Sequence, residues 1–160
     1  MKKIGEYDLL ISGEIIGISL EGEDKSLLWG PVNFSQACTL TEFRKEFHPL
    51  DDEVFGAKVF VYESETEQKH SDCIFGLCVP LFIPPAQPIS VFSQEESFLT
   101  KMVNKGNYKL IFQVIMQEEV EYHFLLIPED LKFPSIFVAN TELVPDIPNQ
   151  ILNGQNLKLC

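Results

Sequence analysis

A chain of 160 residues, 45% of them hydrophobic and with 13 Phe, is long enough to bury about 70% of its unfolded surface in one domain. Twenty-four acidic residues against 12 basic ones give a formal net charge of −12. That balance disfavours direct binding to nucleic acid or to an anionic membrane surface, and suits a soluble protein or one that meets a basic partner.

The chain opens MKKIGEYDLLISG, with two lysines before an apolar stretch. Glu6 and Asp8 interrupt that stretch and no small-residue cleavage site follows, so a secretory leader is not expected. No apolar run approaches the ~20 residues of a membrane span, and the expectation is a cytoplasmic protein with no membrane partner. Residues 8–20 (DLLISGEIIGISL) are apolar and β-branched, with Gly13 and Gly17 predicted to mark a bulge or strand break. An acidic turn (EGEDK) leads to Leu27-Leu28-Trp29. Residues 35–46 (SQACTLTEFRKE) are the best stretch for a short helix, ended by His48-Pro49, and Asp51, Asp52 and Glu53 form an acidic loop.

Residues 57–62 (AKVFVY) read as a strand, followed by a polar loop carrying Glu63, Glu65 and Glu67. Residues 73–83 (CIFGLCVPLFI) form the longest apolar run and suit a central strand covered on both sides. Pro80 cannot donate a ladder hydrogen bond, so the strand must bend, bulge or become an edge there. After Pro84-Pro85 and Pro88, residues 89–92 resume as a short strand, and Asn104-Lys105-Gly106 is a turn signal.

Residues 104–130 organise the rest. Tyr108, Leu110, Phe112, Val114 and Met116 share one parity, and Val120, Tyr122, Phe124 and Leu126 repeat the stripe. Period-two alternation predicts two half-buried strands. A two-residue turn at Glu118-Glu119 would oppose apolar to polar positions, so an odd loop is expected. With 117–119 as the loop, Met116 faces Val120, Val114 faces Tyr122 and Phe112 faces Phe124. Beyond Pro128 periodicity is lost, although Ile136-Phe137-Val138 can add an edge strand. The chain therefore divides into a β domain over 1–130 and a C-terminal extension over 131–160. The expected fold is all-β, an antiparallel β-sandwich of about seven strands with at most one or two short helices.

Chemistry-bearing residues are sparse. Cys38, Cys73, Cys78 and Cys160 are expected to be free thiols, and a single strand would put Cys73 and Cys78 on opposite faces. His70-Ser71-Asp72-Cys73 sets base and nucleophile types side by side, but catalysis needs geometry rather than adjacency. Neither the 51–53 nor the 63–67 carboxylates show the glycine and ligand spacing of a calcium loop, and no cofactor or metal is expected. What remains is acidic loop tips. Glu118, Glu119 and Glu121, with Asp51, Asp52, Glu53, Glu63, Glu65 and Glu67, are the candidates for binding a protein partner, and plain solubilising charge is the alternative.

Three segments resemble the competence protein J family. Residues 104–110 (NKGNYKL) are similar to its K-G-[DN]-Y-x-L opening of a late strand, and 78–83 (CVPLFI) to its V-P-F-x-V strand. The early strand followed by Leu27-Leu28-Trp29 resembles its N-terminal part. Together they span roughly 8–128. The resemblance implies a non-enzymatic inhibitor of a DNA-entry nuclease in the cytosol of competent bacteria, or an immunity factor against a nuclease or toxin. It assigns no inhibitory residue. A ligand-binding or structural sandwich is the second reading and an enzyme the third. A deep polar pocket holding His48 or His70 beside a carboxylate would favour the enzyme, and a flat acidic face the inhibitor.

Overall fold

The computed structural model describes residues 1–10, 15–20, 38–40, 44–47, 56–94 and 96–138. Among them the chain forms eleven strands and no helix. They are β1 (Lys2–Leu10), β2 (Ile16–Leu20), β3 (Cys38–Leu40), β4 (Arg44–Phe47), β5 (Gly56–Glu63), β6 (Cys73–Ile83), β7 (Ile89–Ser93), β8 (Ser97–Leu99), β9 (Gly106–Met116), β10 (Val120–Ile127) and β11 (Ser135–Val138). They build a six-stranded sheet A, ordered β1-β5-β10-β9-β6-β11, and a five-stranded sheet B, ordered β3-β4-β2-β7-β8. The all-β expectation holds, and two of its details do not. There are more strands than about seven, and sheet A is mixed, because β10 pairs with β5 in parallel.

Within the stretch expected to be a helix, 35–46, the described residues 38–40 and 44–46 instead belong to β3 and β4, which pair with each other as a ladder, and the rest lies outside the described residues. Thr39 and Thr41 are β-branched, and β4 finds a second partner in β2. Long-range pairing here outweighs a weak local helix preference. Gly13, the Leu27-Leu28-Trp29 segment, His48, Asp51, Asp52, Glu53 and Cys160 lie outside the described residues.

The hairpin β9–β10 has the odd register. Met116 opposes Val120, Val114 opposes Tyr122, Phe112 opposes Phe124 and Leu110 opposes Leu126. Gly106 opens β9 at φ +149°, a conformation that a side chain with a Cβ rarely adopts, and the Tyr108 hydroxyl donates to the Asn104 carbonyl at 2.8 Å to brace that turn. The even-numbered stripe of the hairpin joins Ile16, Ile18 and Leu20 of β2, Ile89 and Val91 of β7, and Leu77, Val79 and Leu81 of β6 in one cluster. Aromatic rings tie the sheets together across it. Phe47 of sheet B stacks on Phe112 of sheet A at 4.5 Å between centroids and meets Phe124 at 5.9 Å.

Gly17 is neither bulge nor break. It sits in register inside β2, and a Cβ there would lie 2.3 Å from the Phe92 ring and 2.5 Å from the Lys45 carbonyl oxygen. A ring tip can swing away, but a neighbouring strand's backbone cannot. Gly17→Ala is expected to cost about 1–3 kcal/mol in denaturant unfolding, and an unchanged midpoint would show that the strands separate freely.

The Pro80 constraint is met by an edge. β11 pairs with β6 only from Gly76 to Cys78, so beyond Cys78 the strand has one neighbour among the described residues, β9. A bulge does occur in β6, between Cys73 and Phe75. It sets Cys73 opposite Ile115, while Cys78 opposes Ile111. Both cysteines therefore sit on the outer face of sheet A, not on opposite faces. Cys38, Cys73 and Cys78 are buried and not disulfide-bonded.

Candidate functional site

Sheet A has two buried faces. One meets sheet B, and the other, carried by Lys109, Ile111, Gln113 and Ile115 on β9, is roofed by chain crossings. β5 and β6 run parallel with β10 and β9 between them, so the connection 64–72 must return across the outer face. It leaves β5 where the Ser64 amide donates to the Leu126 carbonyl at 3.0 Å and arrives where the Met116 amide donates to the Asp72 carbonyl at 3.0 Å. A second crossing, 128–134, leads to β11 and places Leu131 in a small cluster with Cys78, Ile111 and Leu125. The hairpin strands are therefore buried on both sides rather than half-buried.

A roof of irregular backbone must have its polar groups satisfied. Gln113, 3% exposed, does this as a surrogate peptide group. Its Oε1 accepts from the His70 amide at 3.0 Å, and its Nε2 donates to the Gln68 carbonyl at 3.1 Å. Four residues away on the same face, the Lys109 ammonium pairs with Glu67 of the first crossing and with Glu129 of the second, the latter at 2.7 Å. Burial works to lower the Lys109 pKa, and the carboxylates of Glu129 and Glu67 more than reverse it, leaving it raised.

Beside this roof lies a cavity of about 340 Å³, lined among others by Tyr62, Gln68, Lys69, His70, Glu121 and His123. The His123 ring is packed against Phe60 (5.0 Å), Tyr62 (5.6 Å) and His70 (5.4 Å). Its Nε2 lies 3.0 Å from Glu121 Oε1, and since a carboxylate only accepts, the ring donates from Nε2. Burial pushes the His123 pKa down, against the pull of Glu121 and with that of His70. In His70, Nδ1 accepts from the Asp72 amide at 3.0 Å.

This places a histidine near a carboxylate in a pocket, the feature named above as favouring an enzyme. The remaining parts do not assemble. The Cys73 thiol donates to the Phe75 carbonyl at 3.2 Å, and burial raises its pKa. Cys78 is pushed up to about 12, chiefly by burial. Among the described residues no hydroxyl or thiol is hydrogen-bonded to either imidazole, and no group of three or more His, Cys, Asp or Glu side chains is arranged to hold a metal ion.

The acidic candidates separate in space. Glu118 and Glu119 are exposed at the β9–β10 tip. Glu121 turns onto the outer face toward His123. Glu63 is paired in register with Leu126, at the opposite end of sheet A from the tip, and Glu65 lines a cleft there with Asn104 and Pro128. Glu67 is occupied by Lys109. The structure instead brings Asp72 to the tip, where its Oδ2 accepts from Gln117 Nε2 at 3.2 Å. Sequence reasoning missed Asp72, Lys109 and Gln113. The signal for the last two was two long polar side chains on one face of an otherwise apolar strand, which demands buried partners.

These features define a class, a small all-β protein of two sheets with polar clasps holding crossings over one outer face. No protein-family profile and no curated protein matches the chain. Among solved structures its fold is similar to that of ComJ from Bacillus subtilis, an inhibitor of the DNA degrading activity of NucA. The TM-score is 0.68 at 13% identity, covering 80% of this chain and 98% of that one. At that identity the likeness is one of fold.

Proposed function

We propose that this protein binds and blocks another protein, a DNA-degrading nuclease or similar cationic enzyme, in the cytoplasm. The observation that carries the reading is the likeness in fold to a nuclease inhibitor over nearly the whole of that inhibitor. The net charge of −12 supports it electrostatically. A nuclease groove is cationic because it holds phosphates, and a protein that fills it must supply carboxylates or leave basic side chains buried without counter-charge. Glu118, Glu119 and Asp72, gathered at the braced hairpin tip, are the group we assign to that contact. Glu63 and Glu65, at the other end of the sheet, form a second and separate acidic group.

The test is inhibition of DNA degradation by NucA and by any nuclease encoded next to this chain. Changing Glu118 and Glu119 together to Gln is expected to weaken inhibition at least about tenfold, or ~1.4 kcal/mol, and to flatten its salt dependence. Changing Glu63 and Glu65 to Gln is the matched control. No inhibition of either nuclease by the wild-type protein would sink the reading. Equal losses from the two pairs would remove the tip as the specific contact.

A further inference from the structure

We propose that His70 and His123 form a pH-sensitive latch that holds the 64–72 crossing on the outer face of sheet A and releases it when the rings protonate. The inference stands independently of the inhibitor reading, since it concerns the crossing and not the partner.

The geometry puts one imidazole on each side of the boundary that would open. His123 belongs to β10 and is 8% exposed. His70 belongs to the crossing, and the rings meet edge to face at 5.4 Å with an interplanar angle of 85°. Each ring has a specific hydrogen-bond partner. The His70 Nδ1 is the acceptor for the Asp72 amide. Protonation puts a hydrogen on that atom, so two N–H groups face each other and the turn 70–72 loses the bond that closes it. His123 already donates from Nε2 to Glu121, so its second proton must enter on Nδ1, in a ring buried among Phe60, Tyr62 and His70. With both protonated, two cations stand across the seam. Such a pair is relieved when the crossing lifts and water enters.

The surrounding charges do not cancel this. From β10, Glu121 favours the protonated His123. Lys58 of β5 is the register neighbour of Glu121. From the crossing, Lys69 lines the same cavity, as does Met1. Tyr62 of β5 is neutral in the relevant range, with its pKa raised by burial and then by Glu121 and Glu6. The sign follows from His123, whose pKa is lowered while the crossing is closed. The closed form gains stability from the neutral ring above the ordinary histidine range. It loses that gain as pH falls through that range toward the lowered value.

The experiment is amide hydrogen exchange of the full chain between about pH 7.5 and about pH 5, a window that brackets histidine titration, with intrinsic exchange rates divided out. Amides in 66–72 are expected to lose protection by more than about threefold on acidification, while Val114 and Phe124 in the hairpin core keep theirs. Two variants localise the effect. His70→Asn keeps a side-chain acceptor for the Asp72 amide but cannot titrate, and His123→Gln removes the other ring. The double variant is expected to show pH-independent protection of 66–72. Wild-type protection that does not change with pH overturns the latch without recourse to any variant. So does a folded double variant that keeps the wild-type pH dependence, with core amides reporting that it is folded.

Discussion

Phe112→Ala is expected to destabilise the protein by about 3–5 kcal/mol, the range for a fully buried aromatic truncated in a core that cannot collapse around the loss. Phe112 has no exposed surface. Its ring stacks on Phe47 at 4.5 Å and on Tyr122 at 5.9 Å, and meets Phe124 at 5.3 Å. One side chain thus joins a strand of sheet B to two positions of sheet A. Removing it leaves a cavity between two sheets whose backbones are fixed by their own ladders. A domain of this size has about 5–15 kcal/mol of stability in all, so the variant should sit close to the unfolding threshold. Urea unfolding monitored by tryptophan fluorescence and by far-UV circular dichroism checks it. The control is Phe133→Ala, at a ring 53% exposed, expected to change stability by no more than about 0.5 kcal/mol. Similar losses for the two would mean that Phe112 does not join the sheets.

Gln113→Ala is expected to cost about 2–4 kcal/mol through a different mechanism. The part-buried His70 amide and Gln68 carbonyl each lose a partner, and a polar group left unpaired costs up to about 1–3 kcal/mol. The damage should be local first. Exchange protection across 66–72 should fall before the β9–β10 ladder weakens, because the ladder's own hydrogen bonds are untouched. Gln113→Glu separates the two bonds, since a carboxylate still accepts from the His70 amide but cannot donate to the Gln68 carbonyl. Gln117→Ala is the reference, an exposed tip residue with one bond to Asp72. If Gln113→Ala costs no more than Gln117→Ala, the crossing is held by Lys109 and its two carboxylates and not by Gln113.

Both experiments probe features with different visibility in the chain. The inward stripe containing Phe112 is written in local alternation, so its burial follows from the sequence. The partner groups of Gln113 are backbone atoms of a segment more than forty residues away, and no local pattern names them. The acidic candidates show the same division. That Glu118 and Glu119 crown a hairpin is legible from two apolar runs and the odd loop between them. That Asp72 joins them, that Glu67 is spent on Lys109, and that Glu63 lies at the far end of the sheet all depend on where the crossing runs.

By itself the sequence determined the strand class of most described segments, the register of the β9–β10 hairpin, the turn at Asn104-Lys105-Gly106 and the excess of negative charge. These are properties of neighbouring residues, set by side-chain parity, by the φ range that only glycine adopts freely and by simple addition of charges. Tertiary structure alone decided that β5 lies parallel to β10, that 38–40 and 44–47 form strands rather than a helix, that a bulge carries Cys73 to the same face as Cys78, and that His70 reaches His123. Each of these is a pairing between segments distant in the chain. Such pairing is selected by which apolar faces can be covered together while every buried polar group finds a partner, and that is a condition on the whole fold rather than on any one stretch of it.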